Sequence, residues 1–173
     1  MSKAKDRLEH ERKKRKKLIF VGVLVAVIVL ILVAGFILMN SLKGGNDTEY
    51  TDSVVDDTGQ NVKVPLSDLS NTDFHFYSFD PGGTAIKYFV VKDKSGVIHT
   101  AFDACNVCYE AKKGYEQVGD KARCRNCGKT YSIYDIGDKN TAGGCWPAYL
   151  PHILSGDSVV IKTSDLETGR YLF

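Results

Sequence analysis

The chain of 173 residues lacks the short signatures of the commonest enzyme classes. It contains no Gly-x-Ser-x-Gly, no phosphate-binding loop and no His-Glu-x-x-His. Serine hydrolase, nucleotide hydrolase and zinc protease readings therefore have no starting point. No nucleophile–base pair is evident, and Asp135 and Asp138 beside a turn read as turn residues. No internal repeat of roughly 20–50 residues is visible, which sets aside solenoids and propellers. These absences favour a carrier or metal-binding protein over an enzyme with its own substrate.

A different absence is local. Leu18 to Met39 contains no charge, no Asn or Gln and no Pro. At 1.5 Å per residue it would extend roughly 33 Å as a helix, enough for a hydrocarbon core of about 30 Å. A cleaved signal would have a shorter apolar stretch ending at a small-x-small site. The run therefore reads as an uncleaved transmembrane helix over 18–39.

Residues 1–17 form a basic tail. Nine Lys and Arg against three acids leave it at +6, and the other 14 basic and 18 acidic residues leave the rest at −4. Basic residues beside a membrane helix stay in the cytoplasm. The expected topology is single-pass in the cell membrane, N-terminus cytoplasmic and C-terminal domain extracytoplasmic. Anionic lipid headgroups are a sufficient partner for the tail, so no nucleic-acid partner is expected.

Residues 40–60 are poor in apolar residues and read as a flexible linker. From 61 to 173 the pattern is mainly β. Phe74 to Phe79 is aromatic and strand-like, Pro81-Gly82-Gly83 is a turn, and Ala85 to Val91 is a second strand. Asp93 to Gly96 joins that strand to Val97–Phe102 as a hairpin. Thr130 to Ile136 and Ser158 to Lys162 are further strands, with Arg170 to Phe173 as an added edge. No sustained helical period occurs in this half.

All five cysteines fall within this domain: Cys105, Cys108, Cys124, Cys127 and Cys145. The first four make C-x2-C-x15-C-x2-C. Two residues between cysteines let both thiolates of a tight turn face one ion, and a second such turn completes a tetrahedral set. Gly128 follows the second pair and can take a positive φ, which lets backbone N–H groups point at sulfur. On spacing alone an iron–sulfur cluster, a Zn or Cu ion, and disulfides all remain open. The odd fifth cysteine argues against a framework made only of disulfides. Cys145, after Gly143-Gly144, has three readings: a spare ligand, a redox partner or a packed thiol. His152, in a loop near Cys145, is a candidate to touch the metal or the residues that hold it, whereas His75 and His99 read as strand-face residues. Tyr109, Tyr115, Tyr131 and Trp146 bracket the cysteines and would shield them from water.

The ordered string Phe102-Asp103-Ala104-Cys105-x-x-Cys108, Gly114-Tyr115, Gly119-Asp120, Cys124-x-Asn126-Cys127-Gly128, Ile136-Gly137 and Gly143-Gly144-Cys145-x-Pro147 resembles the FtrD-like domain of membrane iron–sulfur proteins. The resemblance runs from about Phe74 to the C-terminus. It implies a membrane-anchored extracytoplasmic protein, an iron–sulfur centre on these cysteines, and a membrane permease or redox partner in iron uptake. Trp146 departs from the pattern, where a small polar residue is expected. The single anchor also departs from relatives with several membrane helices, so an integral permease function is not carried over.

The order of the knuckles is also similar to Rieske domains, which carry C-x-H and C-x-x-H pairs on two loops. Cys108 and Cys127 would stand in the histidine positions. Two thiolates in place of two imidazoles would lower the potential towards about −400 mV. The fold that this second resemblance implies is a Rieske-like β-sandwich.

Overall fold

The computed structural model describes residue 29 and residues 48–70, 72–137 and 143–173. The basic tail, the apolar run apart from Val29, and the first part of the linker lie outside the described residues. Among the described residues no helix is long and apolar enough to cross a membrane.

The domain is mainly β. In chain order its strands are β1 (Thr51–Asp52), β2 (Asn61–Pro65), β3 (Phe74–Phe79), β4 (Ile86–Lys92) and β5 (Ile98–Phe102). They continue with β6 (Tyr115–Val118), β7 (Lys121–Cys124), β8 (Thr130–Ser132), β9 (Ile153–Ser155) and β10 (Ser158–Lys162). One short helix, α1 (Thr163–Thr168), follows and buries Leu166.

Three sheets result, ordered β1-β3-β4-β5, β2-β10-β9 and β6-β7-β8. Strands β3, β4 and β5 pair antiparallel, with Phe76 opposite Phe89 and Phe89 opposite Ala101. Aromatic and β-branched side chains suit such a pleated, packed surface. The two-residue turns Gly119-Asp120 and Gly156-Asp157 close the β6–β7 and β9–β10 hairpins, each with a left-handed glycine at its first position. A positive φ there matches the twist of the paired strands.

The near-continuous apolar run of β4 has a simple cause. Side chains alternate between faces along a strand, and both faces of β4 are covered. Ile86, Tyr88 and Val90 join one core with Val62, Val64, Val159 and Ile161 of the second sheet. Phe89 and Val91 join a second core with Tyr115, Ala122, Ile133, Ile136 and three cysteines. The central sheet thus separates a purely structural layer from the layer that carries the cysteines.

Three expectations differ from the structure. Thr130–Ile136 is a strand only to Ser132; a 3-10 turn, Ile133–Asp135, then lets both Ile133 and Ile136 reach the core. Arg170–Leu172 is a 3-10 turn rather than an edge strand, and it buries Leu172. The stretch read as a linker is fixed to the domain from Thr48 onward. β1 pairs parallel to β3 on the sheet edge, Tyr50 donates to Asp103 at 2.5 Å, and the Ser53 hydroxyl lies 2.8 Å from Tyr88 Oη. This segment is too polar to form a core of its own, but its backbone and hydroxyl groups find partners that only the folded domain supplies.

Candidate metal centre

The cysteines come from three segments, each placed by a sheet. Strand β5 ends at Phe102 and runs directly into the first knuckle, Cys105 to Cys108. The Cys145 loop is laced to the same stretch: Phe102 N–H donates to Ala148 O and Ala148 N–H to Ala104 O, both at 2.9 Å. This two-way pairing brings Cys145 beside Cys105. The second knuckle is the connection from β7 to β8, and Cys124 is the last residue of β7.

A buried carboxyl joins the two knuckle regions. Asp103 accepts from Tyr115 N–H at 2.6 Å and from the Tyr50 hydroxyl at 2.5 Å. Tyr115 in turn pairs with Cys124 across β6 and β7. Gly114 permits the close approach, since a Cβ there would lie 2.3 Å from Asp103 Oδ2. Burial pushes the Asp103 carboxyl up to about 6, although Tyr50, the Tyr115 N–H and the Arg125 and Lys87 charges pull the other way.

The two knuckles repeat one pattern. Tyr109 N–H donates to Cys105 O at 3.1 Å, and Gly128 N–H donates to Cys124 O at 2.9 Å. Inside each turn the first sulfur accepts backbone donors: Cys108 N–H at 3.1 Å together with Val107 for Cys105, and Cys127 and Asn126 for Cys124. Gly128 has φ +74°. Its N–H goes to a carbonyl rather than to sulfur, but the left-handed turn delivers Lys129 N–H to Cys127. That N–H, more than any other influence, lowers the exposed Cys127 thiol to about 7.

The Sγ atoms of Cys108, Cys124, Cys127 and Cys145 all lie within 4.8 Å of one another. Each is a free thiol. Cys105 falls outside this mutual set, yet its Sγ is 3.1 Å from that of Cys145, which is itself 3.5 Å from Cys108 Sγ. Five sulfurs thus share one place, and the compact four differ by one member from the four implied by spacing. Burial raises the Cys145 thiol, and neighbouring sulfurs that use it as a donor raise it further. Burial also raises Cys105, but hydrogen bonds from Cys145 and the backbone outweigh it and leave the thiol lowered. Soft sulfur donors in this number suit zinc, Cu(I) or iron–sulfur centres.

The aromatic neighbours are as anticipated in part. The buried Tyr115 hydroxyl donates to Cys145 O at 3.1 Å and lies 3.7 Å from its sulfur. Trp146 packs edge-on against Tyr131, with ring centroids 4.7 Å apart. Tyr131 is pushed up to about 12 by burial, and the neighbouring cysteine sulfurs add to the effect. Tyr109 instead meets Tyr171.

Two of the described histidines make their contacts away from the sulfurs. His152 was expected near the sulfurs, but its Nδ1 lies 2.9 Å from Thr100 Oγ1, and burial lowers its pKa. Thr100 Oγ1 spends its own proton on Leu150 O. His99 is buried between Ile136 O at 2.8 Å and Asp93 at 3.1 Å, which ties β5 to the segment leading towards Cys145. Asp103 and Tyr50 are the residues that spacing alone did not single out. Asp103 was present in the Phe-Asp-Ala-Cys string, whereas nothing local marks Tyr50.

A search of curated proteins finds no match to this chain. A family profile described as "Membrane iron-sulfur containing protein FtrD-like" matches residues 69–173, which spans β3 to the last residue and includes every cysteine. The chain belongs to the FtrD-like family of membrane iron–sulfur-containing proteins.

Proposed function

We propose that this chain is a membrane-anchored, extracytoplasmic iron–sulfur protein that exchanges electrons with a membrane partner during iron acquisition. The observation that carries this reading is the gathering of four sulfurs from three chain segments within 4.8 Å of one another. Cys108, Cys124, Cys127 and Cys145 would hold the centre, with Cys105 as a fifth sulfur against Cys145. The family description supplies iron as the metal. Leu18–Met39 would be the anchor, with the basic tail on the cytoplasmic side.

The chain's own groups suit thiolate ligands. Backbone N–H groups at Cys108, Asn126, Cys127 and Lys129 aim at sulfur and stabilise its negative charge. Tyr115 and the second core keep water from Cys105, Cys124 and Cys145, while Cys127 stays exposed. The buried side protects the centre, and the Cys127 edge is where a partner can approach. When bound, the iron centre supplies one-electron redox chemistry. The meeting of a knuckle after β5 with a knuckle between β7 and β8 is in keeping with a Rieske-like arrangement of two ligand loops.

The compactness of the set favours a second reading. Sulfurs at about 2.3 Å from one tetrahedral ion lie about 3.8 Å apart. A bound of 4.8 Å is close to that figure and suits a single Zn or Cu ion in a module that docks on a transporter. One experiment separates the two. Protein purified without oxygen is analysed for iron, zinc, copper and acid-labile sulfide, and its visible spectrum is recorded. Iron with sulfide and charge-transfer absorbance supports the first reading. Colourless protein with one tightly held zinc rejects it in favour of the second.

A further inference from the structure

Beside the sulfurs lies a cavity of about 370 Å³ that no part of the electron-carrier reading uses. Its size falls within the ordinary range of small-molecule sites, roughly 300–1,000 Å³. Cys105, Cys108 and Cys124 contribute to its wall, so an occupant would touch the segments that carry the metal centre. The inventory of its other groups indicates what kind of molecule fits.

Three charged side chains line the cavity: Lys87, Lys112 and Asp103. Both Asp103 oxygens are already taken, one by Tyr50 and one by Tyr115 N–H. Lys112 Nζ donates to Phe173 O. Lys87 Nζ sits 4.6 Å above the Tyr50 ring, and no acceptor among the described residues reaches it. A cation held by a ring face keeps its N–H donors available. Among the charged groups the open one is therefore a positive donor. The rest of the wall mixes polar groups, Thr84, Tyr109 and Asn126, with an apolar part formed by Ala85, Ala104, Leu172 and Phe173.

We propose that this cavity binds a small organic anion with an apolar, ring-sized body, its negative end on Lys87 and its body towards Cys105 and Cys108. The orientation follows from charge. The Lys87 ammonium attracts the anionic end, and sulfur is a soft, weak hydrogen-bonding wall, so the uncharged body is the part that faces it. Such a molecule would lie in contact with the segments of the metal centre and is suited to be its small-molecule partner. The cavity and its inventory stand whether the centre holds iron or zinc.

The test uses the full chain in an uncharged detergent, with metal content measured on every sample. The probe is 6-fluoro-2-naphthoate, followed by ¹⁹F NMR, with its uncharged carboxamide as comparison and a detergent-only blank. The expected result is saturable binding of the carboxylate and binding of the carboxamide weakened about tenfold. Lys87→Met is expected to weaken the carboxylate by a similar factor, and Ala85→Phe, which fills the cavity, to abolish binding. Lys94→Met, in the distant hairpin turn, should bind as the parent does. If Ala85→Phe fails the near-UV circular dichroism check for folding, Lys87→Met alone decides. Absence of binding above the blank overturns the proposal, as does binding that Lys87→Met leaves unchanged. Because metal is assayed in the same tubes, loss of the ligand site with iron retained is distinct from failure of the iron reading.

Discussion

Cys105 and Cys145 are forty residues apart in the chain, and their sulfurs are 3.1 Å apart in the fold. The contact exists because the Ala148 backbone pairs with Phe102 and Ala104 and so lays one loop along the other. It places a fifth thiol against a set that needs four. Cys145 belongs to the compact four, whereas Cys105 touches that set at one edge.

The two cysteines are therefore expected to respond differently to substitution. Cys145→Ser should reduce metal retention by at least tenfold, because it removes a sulfur that lies near all three others. Cys105→Ser should retain metal better, with its effect confined to the surroundings of Cys145. Metal content after graded competition with a chelator measures both. Equal loss in the two variants would instead place Cys105 among the ligands.

Thiol reactivity offers a second check. Cys127 is exposed, and its thiol is lowered to about 7, chiefly by the Lys129 N–H. A lowered thiol carries more thiolate at neutral pH than an ordinary one, and the thiolate is the reactive form. In metal-free, reduced protein, brief iodoacetamide treatment should label Cys127 first and the buried Cys145 last. Peptide mass spectrometry reads the order, and bound metal should suppress labelling at Cys127.

Gly114→Ala tests the link between the knuckle regions. The added methyl would meet the Asp103 carboxyl at 2.3 Å, and φ is +64°. Overpacking costs about 1–3 kcal/mol, and a left-handed alanine adds roughly 1 kcal/mol. A loss of about 2–4 kcal/mol is expected in urea denaturation followed by circular dichroism. Gly119→Ala shares the positive φ but has open space around it. Its loss should be smaller, close to the backbone contribution alone.

The Asp93 pair predicts a pH dependence. Hydrogen bonds from the Ser95 hydroxyl, His99 and the Val97 and Ser95 N–H groups hold the Asp93 carboxyl well below the usual carboxylate range. A depressed carboxyl contributes stability above its unfolded value, about 3.9, and that contribution is lost as pH falls through the lower folded value. Asp93→Asn should therefore destabilise the domain at pH 7, and the gap from the parent protein should narrow below about pH 4. Thermal melts of both proteins across pH 3 to 7 measure it. A gap that stays constant over the range would show that the carboxylate charge has no part in holding the hairpin.

Much of the central sheet was legible from local pattern. Phe74–Phe79 and the hairpin through Asp93-Lys94-Ser95-Gly96 announce themselves through aromatic and β-branched content and a polar turn. The short strands at Asn61–Pro65, Tyr115–Val118, Lys121–Cys124 and Ile153–Ser155 did not, because each is three to five residues long and gains its order from a neighbour. His152 illustrates the limit for side chains. Its closeness to Cys145 along the chain suggested the metal, but Thr100 on β5 holds its ring.

Chemistry confined to one turn needs no fold to be read. Two residues between cysteines place both thiolates of a knuckle on one side, and a glycine after the pair admits a left-handed turn, so the sulfur character of the site follows from covalent geometry. Partners contributed from far along the chain belong to packing. Asp103 meets Tyr115 and Tyr50, Ala148 pairs with the end of β5, and Cys145 packs with Cys105 and Cys124 in the core that covers one face of β4. No local rule encodes those meetings, because each depends on burying surfaces that are separated by dozens of residues until the domain closes.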